Sequence, residues 1–169
     1  AQPRDACAVE ELRWLIERNV ELTGSERAAE LLKDWDATAD LCSAVPGLQP
    51  HIVSRFAGGP PNLAVAAVLP AHSAWSDKWA KAAEIDPPRG YSFAALQLPD
   101  GRYLLAYSLH LKSNLGSLPE NIGKRSESAR QLTRHSAEML ALYQQRGPCA
   151  LVVGGDMNTS LDDSKFDTQ

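Results

Sequence analysis

The sequence predicts sheets packed together with helices outside, an α+β or α/β sandwich. Three observations point there. The order of elements is helices, then a run of strands, then a helix and a last strand. Residues 91–98 and 102–111 flank Pro99-Asp100-Gly101, a strong hairpin turn. Residues 63–69 form a nearly continuous apolar run, as expected of a strand buried on both faces.

The elements follow in order. Residues 8–33 read as helical, with Leu12, Leu15 and Ile16 recurring among Glu10, Glu11, Arg13, Glu17 and Arg18. Thr23-Gly24-Ser25 breaks the run, and Ser25 is placed to cap a second helix through Ala28, Ala29, Leu31 and Leu32. Residues 36–44 read as a third short helix, ended by Pro46-Gly47. Residues 51–56 form a short strand, and Gly58-Gly59-Pro60-Pro61 a turn or loop. Residues 70–88, with Trp75 and Trp79, are expected to be loop-like, as are residues 115–123 with their Gly and Pro. Residues 126–145 carry Leu132, Met139, Leu140 and Leu142 among polar residues, an amphipathic helix that Gly147-Pro148 ends. Residues 150–153 form a short apolar strand, and residues 159–169 are polar and loop-like.

The 169 residues fit one domain, long enough to bury a core. Hydrophobic residues at 44% and charged residues at 22% exclude disorder of the whole chain. A net charge of −4 excludes a strongly basic nucleic-acid footprint, though not an enzyme that carries its positive charge on a metal. No apolar run approaches the roughly 20 residues that span a bilayer. Ala1-Gln2-Pro3 fits the stub of a cleaved signal peptide in a secreted or periplasmic protein, and equally an arbitrary boundary; compartment and oligomeric state stay open. Cys7, Cys42 and Cys149 show no CxxC spacing. They fit one disulfide with a free thiol, or three buried reduced thiols. Cys149, before an apolar strand, reads as buried rather than nucleophilic.

Two segments carry chemistry. In Gly154-Gly155-Asp156-Met157-Asn158, a buried apolar strand is expected to run out into two glycines, where a ligand or backbone can approach closely. Asp156 and Asn158 are two apart and share a side if the chain is extended. A carboxylate with an amide suits a hard cation such as Mg²⁺ and a phosphate. The plainer reading is a turn whose Asp and Asn bond their own backbone. In residues 107–114, His110, Lys112 and Asn114 alternate. They would give a phosphate-facing surface of imidazole, ammonium and amide, or else a solvated strand end. Trp14, Trp35, Trp75 and Trp79 read as packing rather than base-stacking, and Arg125, Arg130 and Arg134 as a solvated helix face. His51, His72 and His135 lack ligand-like spacing.

YSLHLKSN at 107–114 and GGDMNTSLDDSKF at 154–166, separated by a helix, resemble two sequence blocks of the endonuclease/exonuclease/phosphatase family. A looser resemblance extends over residues 40–166, within a single domain of residues 1–169. The resemblance implies two packed mixed β-sheets flanked by helices, and Mg²⁺- or Mn²⁺-assisted hydrolysis of a phosphoester substrate, possibly nucleic acid. Carried over by position, Asp156 would sit near the metal and orient or deprotonate the attacking water. Asn158 would hold the phosphate beside the metal, and His110 would face the scissile group. Lys112 and Asn114 would lie near the same pocket. The family's strand with an Asn, its strand with a metal-binding Glu and its closing Ser-Asp-His block have no clear counterpart here; Glu30, in a helical context, is a poor substitute. The expectation is therefore an incomplete sandwich, one part of a longer protein. A non-catalytic relative that binds a partner is the alternative.

Overall fold

The computed structural model describes residues 26–56 and 63–159, with side chains from Glu30 onward. The helix expected over residues 8–22, the Ser25 cap, and the readings of Cys7, Glu10, Glu11 and Trp14 lie outside the described residues. So does the loop at Gly58-Gly59-Pro60-Pro61.

The fold is α+β, with a two-stranded and a four-stranded sheet packed together. Helix α1 (Glu26–Cys42) leads into β1 (Gln49–Ser54) and β2 (Leu63–Ala67). Strands β3 (Ala71–Lys78), β4 (Gly90–Gln97) and β5 (Tyr103–His110) follow, then α2 (Leu118–Gln144) and β6 (Cys149–Asp156). The small sheet is β1-β2, antiparallel; the larger runs β3-β4-β5-β6. In it β3, β4 and β5 are antiparallel and β6 joins parallel to β5, so only this sheet is mixed. A parallel pair needs a crossover, and α2 supplies it.

Several expectations need correction. Residues 26–44 were expected as two helices, yet α1 is continuous, because no Gly or Pro interrupts it. Arg55, just after β1, fixes α1 by gripping Asp34 with two bonds of 2.7 and 3.1 Å and Glu30 with one of 2.8 Å. Glu30 is thus a structural partner on a helix. Strand β2 is buried on one face only: Leu63 and Val65 are covered, and Ala66 is exposed. Residues 71–78 are not a loop but β3, whose polar His72, Ser76, Asp77 and Lys78 are tolerated because an edge strand meets neighbours on one side. Helix α2 starts eight residues earlier than its pattern suggested. Pro119 lies in its first turn, where the missing N–H would be unpaired anyway. Strand β6 is not a buried strand: it leaves Leu151 39% and Val152 46% exposed.

The hairpin matches its reading. Leu98 and Arg102 close the turn at 2.9 Å, and Gly101 takes the positive φ of 84° that a three-residue loop requires. Its register is unbroken from Tyr91↔Leu109 to Gln97↔Tyr103. Alternation along β4 and β5 then sorts the side chains onto two faces. Tyr91, Phe93, Tyr103, Leu105, Tyr107 and Leu109 form one face, against which Leu132, Met139 and Leu140 of α2 pack. Ala94, Leu96 and Ala106 form the other, under Val65, Ile52 and Ala67 of the small sheet. The short hydroxyl pair Ser54–Ser92 is buried between the sheets. It contributes about 1 kcal/mol, against about 1.5–3 for each buried Phe93, Leu105 or Leu109, so apolar burial holds the sandwich.

His135 of α2 is set among four rings, Trp75, Tyr91, Phe93 and Tyr107, at centroid distances of 4.8–6.1 Å. Its Nδ1 lies 2.8 Å from the Tyr107 hydroxyl. Burial lowers its pKa from the ordinary 6.5, and only partly do Glu138 and Asp77 pull it back. Burial also raises the phenols of Tyr91 and Tyr107, so both stay neutral. With a depressed pKa the folded chain binds fewer protons than the unfolded one. The stabilisation is full above about pH 6.5 and is lost as pH falls through the folded value. Urea denaturation from about pH 7 to about pH 5 should show falling stability, and His135→Gln a shallower fall. An equal slope in that variant would discount His135 as the titrating group.

Candidate functional site

The carboxyl ends of β5 and β6 lie side by side, because the parallel register runs in step from Tyr103↔Cys149 to His110↔Asp156. Two glycines allow this. At Gly155, φ is 136° and an added Cβ would lie 1.9 Å from the Leu109 carbonyl oxygen, so no side chain fits. At Gly154 nothing lies within 4 Å of an added Cβ.

Beyond the strands the chain is fixed at Leu111. Its N–H donates to the Asp156 carbonyl at 2.9 Å. Its own carbonyl accepts from Asn158 Nδ2 at 2.9 Å and from Arg89 at 3.2 Å. Asp156 Oδ1 accepts the Asn158 N–H at 2.8 Å, and Asn158 turns into the left-handed region at φ 52°, which Asn tolerates. This is the self-bonded Asx turn of the plainer reading. Asp156 and Asn158 therefore do not extend from one side of a strand. Even so, Asp156 Oδ2 stays clear and its side chain is 59% exposed.

His110 Nε2 stands 3.7 Å from Asp156 Oδ2, too far for a hydrogen bond, so neither group consumes the other. Burial lowers the His110 pKa and Arg89 lowers it further, while Asp156 partly opposes them. The imidazole is thus neutral near pH 7 and faces a carboxylate.

Lys112 and Asn114 are drawn away from this pair, so the shared face expected of His110, Lys112 and Asn114 does not form. The strand ends at His110. Lys112 Nζ donates to the Leu115 and Ser113 carbonyls at 2.8 and 3.1 Å. Asn114 Oδ1 accepts from Arg125, which also donates to the Lys112 carbonyl at 2.9 Å. Arg125 is buried, contrary to its reading as part of a solvated face; Arg130 and Arg134 do sit on the surface, paired with Glu127 and Glu138. Arg89 was missed, and no pattern in Pro87-Pro88-Arg89-Gly90 marks it. Cys149 is half-buried, its thiol pushed up by burial and donating to the Gly147 carbonyl, so it is no nucleophile. Trp79 is buried and Trp75 packs against the core.

The donors available near the strand ends are oxygen and nitrogen: Asp156 Oδ2, the Asn158 amide oxygen and His110 Nε2. Mg²⁺ commonly takes one or two carboxylates and fills its sphere with water and substrate phosphate, and this set fits that pattern. No cluster of three or more His, Cys, Asp or Glu side chains is found among the described residues. A cleft of about 270 Å³ lies elsewhere, between β3 and α2, lined by Asp77, Lys81, Tyr91, Arg130, His135 and Glu138. Gln131 clamps Ala80 across that cleft by two bonds of 2.8 Å.

No family model matches the chain, and neither a curated protein nor a solved structure matches it significantly.

Gly155→Ala should cost about 3 kcal/mol, while Gly154→Ala should stay within about 0.5 kcal/mol. Denaturation midpoints of the pair test whether the close approach at Gly155 holds the two strand ends together; equal midpoints would refute it.

Proposed function

We propose that the protein is a divalent-metal-dependent phosphoester hydrolase, a nuclease or phosphodiesterase. The observation that carries this reading is the meeting of a neutral His110 and the exposed carboxyl group of Asp156 on adjacent strand ends, 3.7 Å apart and not bonded to each other. The resemblance of residues 107–114 and 154–166 to the endonuclease/exonuclease/phosphatase blocks supports it independently.

Asp156 and Asn158 would hold Mg²⁺ or Mn²⁺. When bound, the cation supplies positive charge to the phosphoryl oxygens. Asp156 then orients a water, and its carboxylate accepts a hydrogen bond from it. His110, neutral at rest, is poised to exchange a proton with a reacting oxygen through Nε2. Arg89 and Asn158 hold the Leu111 carbonyl, and so keep His110 aimed. Lys112 and Asn114, consumed by the loop and Arg125, shape the rim rather than touch phosphate.

A second reading is a binding protein of the same fold without catalysis. It is favoured by the single carboxylate at the described site and by the commitment of Lys112 to backbone carbonyls.

Hydrolysis of bis-p-nitrophenyl phosphate and plasmid DNA with Mg²⁺, Mn²⁺ and EDTA separates the two. The enzyme reading expects turnover that EDTA abolishes. Asp156→Asn, which keeps the turn's acceptor but not the charge, and His110→Ala should each lower the rate about 100-fold or more without altering the circular dichroism. Absence of turnover with any metal in folded protein would leave the binding protein.

A further inference from the structure

The loop from Trp79 to Arg89, between β3 and β4, holds two residues against their backbone preference. Ala83 has φ 51° and Arg89 φ 69°, and neither is a Gly or Asn. At Ala83 the cause is local. Ala82 and Ile85 exchange both backbone bonds at 2.9 Å, which closes a two-residue turn over Ala83-Glu84. Such turns need a positive φ that Gly or Asn normally supplies. At Arg89 the chain turns into β4, where Gly90 passes so close to β3 that an added Cβ would lie 1.9 Å from the Asp77 carbonyl oxygen. Strained conformations of this kind persist only where their surroundings over-determine them.

The surroundings that do so come from α2. Gln131 Oε1 accepts the Ala80 N–H, and Gln131 Nε2 donates to the Ala80 carbonyl, both at 2.8 Å. The amide is itself aimed. Its Nε2 also donates to Glu127 Oε1 at 2.7 Å, and Arg130 grips Glu127 with two bonds of 2.8 and 2.6 Å. Ala80 follows Trp79, whose ring is buried and whose N–H donates to the Arg89 carbonyl at 3.2 Å. The two ends of the loop are therefore joined one residue from the clamp.

The far end of Arg89 reaches the candidate site. Its Nη1 lies 3.2 Å from the Leu111 carbonyl oxygen and 3.5 Å from that of His110. Among the described residues these are its only side-chain partners. Both contacts are long for an N–H···O bond, so the guanidinium does not hold itself there. The backbone of the loop has to deliver it. The strain at Ala83 and Arg89 is of the same order as the two bonds of the clamp, so loss of the clamp is enough to shift the loop. We infer that Gln131 is a positioning residue for the candidate site: by clamping Ala80 it holds the loop in the shape that brings Arg89 to the Leu111 carbonyl beside His110. The effect on catalysis rests on the phosphoester-hydrolase reading; the coupling between Gln131 and Leu111 does not.

The carbonyl ¹³C resonance of Leu111 reads that coupling without metal or substrate, because it responds to the donors on the oxygen. Gln131→Met keeps the length of the side chain and the helix. It and Arg89→Met should move the resonance in the same direction, and the double variant no further than Arg89→Met alone. Ala83→Gly, which relieves the strain the clamp opposes, should restore part of the wild-type position in the Gln131→Met background. In bis-p-nitrophenyl phosphate hydrolysis Gln131→Met should lower kcat about fivefold with KM unchanged, again without adding to Arg89→Met. An unmoved Leu111 resonance in folded Gln131→Met, additive effects of the two substitutions, or no recovery with Ala83→Gly would overturn the inference even with hydrolysis intact. If the resonance behaves as expected and no phosphoester is cleaved, the hydrolase reading fails and the positioning by Gln131 stands.

Discussion

The backbone of Leu111 is held from three directions, by Asp156, Asn158 and Arg89. Everything proposed for the site depends on that fixation. Without it the last residues of β5 would leave the sheet at His110 and fray, because β6 ends opposite at Asp156. Each bond contributes only about 1 kcal/mol net. Together they convert a strand end into a positioned imidazole. The glycine at 155 is the other half of the constraint, since it lets β6 come close enough for the Asp156 carbonyl to reach Leu111.

The packing behind the site divides labour between two faces. The α2 side of the sheet is crowded with rings, whose large area supplies most of the burial. The opposite side is built around Ala94, Ala106 and Ser92, small residues that let the second sheet approach. Strand β4 is buried along almost its whole length and serves both faces. The outer strand β6 is buried least, and it is this strand that brings Asp156. The site is thus mounted between a rigid strand and a lightly covered one.

Much of the arrangement was legible in the residues. The hairpin could be read because Pro-Asp-Gly and the flanking alternation are local signals. His110 and Asp156 could be chosen because each ends an apolar strand. What could not be read was whatever depends on neighbours distant in sequence. Strand β3 hides among polar residues because an edge strand is paid for by its partner, not by its own pattern. The start of α2 was obscured by Gly116, Pro119 and Gly123, residues that break helices in isolation and are harmless at a first turn or against Ile85. Lys112 and Asn114 look like phosphate ligands by spacing. Only the burial of Arg125 and the course of the 111–117 loop reveal that their polar atoms are already used.

The parallel pairing of β5 and β6 also has a consequence in time. The β4–β5 hairpin joins neighbours through three residues and can close early, as local contacts do. Strand β6 cannot dock until the 27-residue helix α2 has crossed the sheet, because a parallel partner is reached only by that detour. Topology thus favours His110 taking its place on the hairpin ahead of Asp156. The pair that defines the candidate site closes a long stretch of chain, so a polypeptide with only its local contacts made would hold a hairpin and no site.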